Sequence, residues 1–282
     1  MSIVKLTLII LLPIVLNGYT LNDIILKNYS WNHFKTFDNY AMQKYNNNMP
    51  VLIHKKGNKI SRLYFEQYQI NTEKEKHIFV YHSGRYKNIK ILIELDEKDA
   101  EVNIWLPQLR KTRRFYTFKK SNSWNGSNFT YGDILLVHPN DEEHEIIGVE
   151  TISTNHAVLK KFKIKNQSKS ENKNIIKIKS TPKIDVLDYD YRVSYIDRDY
   201  FFDYNITYFK NNIPIKLLEK AWYEKKGEVS LLWYWYARNL ISNTESLIYI
   251  PKSSNFYNVY ISKDFFSKHK LNKNIHVESK YH

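Results

Sequence analysis

The stretch Trp105-Leu106-Pro107-Gln108-Leu109-Arg110-Lys111-Thr112-Arg113-Arg114, and after it Trp124-Asn125-Gly126-Ser127-Asn128-Phe129-Thr130-Tyr131-Gly132-Asp133, departs from the rest of the chain. Three of the eight arginines, Arg110, Arg113 and Arg114, fall within five positions in a sequence that otherwise uses lysine. Arginine presents a rigid planar fork of donors that lysine cannot reproduce, so its use here points to bidentate partners. Those partners are internal carboxylates or the phosphate or carboxylate of a ligand, and the spacing does not choose between them. Pro107 ends a strand or sits on a sheet edge, having no N–H for a ladder. Gly126, between Asn125 and Ser127, marks a tight turn.

Around this stretch the chain reads as strands. Leu63–Gln69, Lys90–Leu95, Val102–Trp105, Tyr191–Ile196, Asp203–Tyr208, Leu247–Ile250 and Asn258–Ile261 are short β-branched or aromatic runs. Leu231–Ala237 is the most apolar interior run and has the length of a buried strand. Breaks at Ser83-Gly84, Asp96-Glu97, Pro139-Asn140-Asp141 and Asn211-Asn212 are spaced like hairpin connections. About ten strands with few helical patterns predict an antiparallel sheet, strongly curled or closed. Residues 21–48, with Trp31, Phe34, Tyr40, Met42 and Tyr45 at mixed spacings, have helical potential. The lysine-rich tract from Lys160 to Lys183 reads as a solvated hairpin or loop. One domain over residues 19–282 is expected, without an internal repeat.

The chain has 282 residues, 43% hydrophobic and 15% aromatic, enough for a sizeable core. It has no cysteine, which excludes disulfides, thiolate metal sites and cysteine nucleophiles. The formal charge of +14 favours anionic partners such as phospholipid head groups, lipopolysaccharide or nucleic acid, without choosing among them. Residues 1–18 carry Lys5, then an apolar run from Leu6 to Leu16, then Asn17-Gly18. That is the layout of a cleaved secretory signal peptide, too short for a bilayer span of about 20 residues. A periplasmic location is expected.

No constellation points to catalysis. The histidines show no His-Glu-x-x-His or His-x-His spacing, so no metal site is predicted. Neither a Gly-x-Ser-x-Gly elbow nor a Ser-x-x-Lys motif occurs. No catalytic residue and no cofactor is predicted. Nucleic-acid binding is disfavoured because the lysines are scattered behind a signal sequence.

The block Trp105-Leu106-Pro107-x-Leu109-Arg110-Lys111-x-Arg113-Arg114, followed by Gly126-Ser127-x-Phe129-x-Tyr131-x-Asp133, closely resembles the signature of the LolA-like outer membrane lipoprotein-sorting protein family. Tyr195-Ile196-Asp197, the aromatic stretch Tyr204–Phe209, and Phe265-Phe266 before Leu271 follow in the family's order. The resemblance thus covers about residues 51–271. It departs at Asn128 and Gly132, where the family carries acids, and at Trp124-Asn125, where it has Phe-Met. If those acids pair with the arginines, the arginines of this chain are freer for a ligand or are stabilised differently.

The resemblance implies a mainly β fold with a few helices: a strongly curved antiparallel sheet forming an incomplete, half-open β-barrel with a helical lid. It implies a carrier of lipid or lipoprotein acyl chains, association with RND-type inner-membrane transporters, transient membrane contact, and no enzymatic activity. Trp105, Arg110, Arg113, Arg114, Trp124, Phe129, Tyr131, Trp233 and Trp235 are the candidate residues of the cavity or its rim. The aromatic residues would equally serve a filled core, in which case the protein acts as an exporter-associated adaptor or scaffold.

Overall fold

The computed structural model describes residues 18–32, 34–72, 74–95, 100–115, 119–135, 137–165, 170–183, 187–224, 230–273 and 275. The expected signal peptide, Gly18 apart, lies outside them. The chain opens with helix α1 (Leu21–Asn32), then β1 (Asn39–Met42), β2 (Val51–Lys56), β3 (Lys59–Ile70), β4 (Glu75–Tyr81), β5 (Lys90–Leu95), β6 (Ala100–Leu106) and β7 (Lys111–Phe115). Helix α2 (Tyr131–Ile134), β8 (Glu142–Thr154), α3 (Ala157–Lys161), β9 (Glu171–Pro182), β10 (Tyr191–Asp197) and β11 (Asp203–Lys210) follow. The remaining strands are β12 (Ile213–Glu224), β13 (Ser230–Asn239), β14 (Thr244–Tyr249) and β15 (Asn255–Tyr257).

All strand pairs are antiparallel, in the spatial order β7-β6-β5-β4-β3-β2-β14-β13-β12-β11-β10-β9-β8. Strand β1 is wedged between the second half of β3 and β15. Turn chemistry sets several registers. Asn211 and Asn212, at φ 51° and 60°, form the two-residue turn between Lys210 and Ile213, because Asn tolerates the left-handed region that a twisted hairpin needs. Gly57, at φ 58°, does the same between Lys56 and Lys59.

The ends of the order, β7 and β8, are not paired with each other, so the sheet remains an open barrel. Its curl follows from contacts of the segment between those two edges. Trp124 packs edge-on against Phe65 of β3 and Phe79 of β4, while Phe129 packs against Trp235 of β13. A segment touching both halves of a long ladder requires the sheet to wrap around it. Inward side chains from both halves form the main apolar core. The outer face is covered in patches: α3 on β2 and β12–β14, and Phe266 and Leu271 on β3–β5.

Three expectations need correction. Helix α1 stops at Asn32, because Phe34 turns to φ 55° and Asn71 Nδ2 donates to the carbonyls of Phe34 and Phe37. Residues 39–42, read as helical, instead pair between two strands. The strand expected at 258–261 lies at Asn255–Tyr257, since Asn258 turns at φ 49°. The lysine tract is mostly β9, paired on both sides. Its apolar Ile176 and Ile178 are buried, while Lys173, Lys177 and Lys179 pair with Glu171, Glu150 and Glu145.

Candidate functional site

The inward side chains of β8–β14 fall into layers set by register. One layer runs His144, Ser180, Arg192, Tyr208, Lys216, Asn239. The next runs Ile146, Ile178, Ser194, Ile206, Leu218, Ala237, Ser246. The third contains Ile176, Ile196, Asp203, Lys220, Trp235 and Ile248. A charged ring thus lies over an apolar one, with a buried ion pair below. Together with α1 and residues 120–139 these layers bound a partly enclosed cavity of about 470 Å³. Where β3 and β4 face β12–β14, a second space, lined in part by Trp124, Phe79, Trp222 and Ile248, holds only about 30 Å³.

Two of the three α-helices among the described residues line the large cavity. Thr20 and Asp23 form a reciprocal N-terminal cap on α1: Thr20 N donates to Asp23 at 2.9 Å and Asp23 N to Thr20 Oγ1 at 3.2 Å. The helix turns Ile25, Asn28 and Asn32 to the cavity. Thr130 and Asp133 make the same kind of box at α2, with bonds of 2.6 and 3.2 Å. Helix α3 packs on the outer face and takes no part.

Three buried carboxylates hold the cationic side chains of the wall. Glu142 accepts from Arg192 Nε at 2.9 Å and Nη2 at 2.6 Å, and from the Tyr189 hydroxyl at 2.9 Å. Burial pushes the Glu142 carboxyl up, but Arg192 outweighs it and holds the group below its ordinary value. Asp133 accepts from Lys216 and, at 3.0 Å, from the Tyr208 hydroxyl. Asp203 accepts from Lys220 at 3.2 Å and from Asn28 at 2.9 Å. Lys220 also donates to Asn32 Oδ1 at 2.6 Å and lies 4.5 Å from the centre of the Trp235 ring. Burial lowers its pKa, opposed by Asp203. Such charges persist in a low-dielectric wall only when paired and fully hydrogen-bonded. The site therefore offers apolar surface beside polar groups, with no unbalanced run of charge.

The segment quoted at the outset is the plug between the sheet's edges. Asn125 and Gly126, at φ 53° and 71°, make its turn, Ser127 N donates back to the Trp124 carbonyl at 3.0 Å, and Trp124 N to Phe129 O at 2.7 Å. This drives Trp124, 2% exposed, into the β3–β4 half and Phe129 into the cavity wall.

Of the candidate residues, Phe129 and Trp235 line the large cavity and Trp124 closes the small space beside it. Tyr131 opens α2 and packs against the core behind. Trp233 points outward beneath α3, its ring 4.9 Å from that of His156. Trp105 packs on the outer cluster with the C-terminal segment. Arg110 sits at φ 47° in the turn after β6, and Arg113 and Arg114 are exposed on the edge strand β7. Arg114 pairs with Glu101, an internal carboxylate. Asn128 meets β14, donating from its backbone N–H to Ser246 at 3.0 Å and accepting from Thr244 at 2.8 Å, so this position does not face the arginines.

Arg192, Lys216, Lys220 and Glu142 were not singled out by sequence, whereas Asp133 stood in the family-like motif without its partner. The available signal was Lys216-x-Leu218-x-Lys220-x-Trp222, cations sharing one face of a strand with core residues. Among the described residues no group of three or more His, Asp or Glu side chains gathers as a metal site.

The architecture is that of the LolA-like open barrels. A putative outer membrane lipoprotein-sorting protein domain from Vibrio parahaemolyticus matches with a TM-score of 0.67 at 12% identity, over 89% of this chain and 96% of that one. A DUF1329 family protein from Desulfovibrio piger matches with a TM-score of 0.69 at 14% identity, over 89% and 98%. A LolA superfamily protein from Nitrosomonas europaea matches with a TM-score of 0.61 at 12% identity, over 89% and 99%. The chain belongs to the family whose model, described as an uncharacterized protein, matches residues 73–273. No curated protein matches it.

Proposed function

We propose that this chain is a non-catalytic periplasmic carrier that holds lipidic cargo, lipoprotein acyl chains or a lipid, in the cavity under β8–β13. An acyl chain of about 16 carbons exposes surface worth about 0.8 kcal/mol per methylene, so on the order of 10 kcal/mol opposes its passage through water. The observation that carries the reading is the hollow of about 470 Å³ inside the curved sheet, within the usual range of about 300–1,000 Å³ for ligand sites. Ile178, Ile206, Leu218 and Phe129 offer an apolar wall, and the Arg192–Lys216 ring offers a polar end. The lipoprotein-sorting name of one structural neighbour supports the same reading. In this scheme residues 1–18 direct export, an RND-type transporter supplies cargo, and the outer membrane receives it.

Mass spectrometry of an organic extract of the purified mature protein tests this. Lipid is expected from the native chain and is lost in Ile206→Trp, which fills the cavity. A blank extract from the folded native chain overturns the carrier reading. The adaptor reading would then stand, on the observation that the barrel is already packed to about 30 Å³ where β3 and β4 face β12–β14.

A further inference from the structure

We propose that three neighbouring hairpin tips beside the cavity form an edge that docks on an anionic bilayer surface. In the sheet β3, β2, β14, β13, β12 and β11 are consecutive, so the β2–β3, β13–β14 and β11–β12 turns lie side by side at one end. The backbone ties them together: Lys55 is opposite Glu245, and Leu240 N donates to Ile215 O at 2.9 Å.

Turns favour Gly, Asn, Asp and Ser, and these tips contain them. Yet they also present Ile213 and Ile241 to solvent, 62% and 76% exposed. Isolated surface isoleucines are ordinary. These two stand on neighbouring tips, and Ile241 lines the cavity together with Lys210, Ile215, Lys216 and Asn239. The opening of the cavity therefore lies among apolar tips.

Charge selects the occupant. The three tips carry Lys55, Lys56, Lys59, Lys210 and Arg238, against the exposed Asp188 and Asp190 nearby. Glu245 is buried and paired with Lys161. Farther along the same end, Asp141 and Glu143 accompany Lys120 and Lys183, and there the signs balance. Exposed apolar tips within a net-positive ring suit the interface of a membrane with acidic lipids, where side chains enter the head-group layer and lysines remain at its surface. Cargo leaving between the tips would then enter lipid without crossing water. That last step rests on the carrier reading; docking does not.

The test is co-sedimentation of the full mature chain with vesicles of phosphatidylcholine and phosphatidylglycerol at 3:1, and with phosphatidylcholine alone. Binding to the anionic vesicles that weakens with salt is expected. The Ile213→Ser/Ile241→Ser and Lys56→Glu/Lys59→Glu variants should each bind at least tenfold more weakly. Val149→Ser, an exposed residue on β8, should bind like the native chain. All variants should keep native circular dichroism, and the Lys56→Glu/Lys59→Glu and Val149→Ser variants, which lie outside the cavity lining, should also keep native lipid in the organic extract. The proposal is overturned if the native chain ignores anionic vesicles, which would leave the edge to a protein partner, or if the isoleucine variant binds unchanged. A blank extract with vesicle binding intact would refute the carrier reading alone.

Discussion

The two halves of the barrel share one ladder and differ in what fills them. Under β3–β6 the inward residues are Leu63, Phe65, Phe79, Ile91, Ile93 and Val102, Trp124 enters from the plug, and the space left where β3 and β4 face β12–β14 is about 30 Å³. Under β8–β13 the inward positions alternate small hydroxyls, Ser180 and Ser194, with long cations tied back to carboxylates, and about 470 Å³ remains. Apolar walls collapse onto one another until they reach crystal-like density. Paired charges resist that collapse, because closing the space would strip their remaining hydrogen-bond partners. A cavity is maintained here by polar scaffolding inside an otherwise apolar sheet.

That contrast is open to direct attack. Trp124→Ala should destabilise by about 3–5 kcal/mol in urea unfolding, a cavity effect, yet leave extracted lipid unchanged; lost lipid would mean the halves act as one space. Asp203→Ala should cost a similar ~3–5 kcal/mol by stranding Lys220, whereas Asp203→Leu with Lys220→Met should recover most of it. A double variant no better than the single would mean that the ion pair itself carries the stability. Gly126→Val should cost about 1–3 kcal/mol, since residue 126 has φ 71° and a Cβ there would meet Arg85 Nη2 at 3.1 Å.

Acid should loosen the hollow half, as it should the surroundings of His54 and His156, whose pKa values burial also lowers. Burial lowers the pKa of His144, so below about pH 6.5 the unfolded chain binds the proton that the folded chain resists. Stability therefore falls as pH drops through that value, and continues to fall as Glu142, held low by Arg192, is protonated. In thermal melts from pH 7.5 to 5, His144→Asn should flatten the first part of the slope. The smallest effect is expected on β7: Arg113→Ala with Arg114→Ala should change stability by less than about 1 kcal/mol, because exposed ion pairs contribute little. Lipid content should be native; its loss would return the arginines to the site.

Local chemistry was legible in the chain. Asn211-Asn212 and Gly126 marked their turns, Leu231–Ala237 its buried strand, and the motif ending in Asp133 the family-like plug. The arginine cluster left internal carboxylates and a ligand equally open; Arg114 meets Glu101 on the neighbouring strand, while the solitary Arg192 enters the cavity wall. Composition singles out clusters; it is blind to which face of a strand a lone residue occupies.

By itself the sequence determined the mainly β class, several of the strands and turns and the family likeness, since period-two alternation and left-handed turn residues act over a few neighbours. Only the tertiary structure decided that Lys216, Lys220 and Arg192 face inward beside Asp133, Asp203 and Glu142. Apart from Lys220 with Asp203, those partners are brought together across 50 or more residues of chain by register and curl, and a one-residue slip in any ladder would have turned the same side chains to solvent.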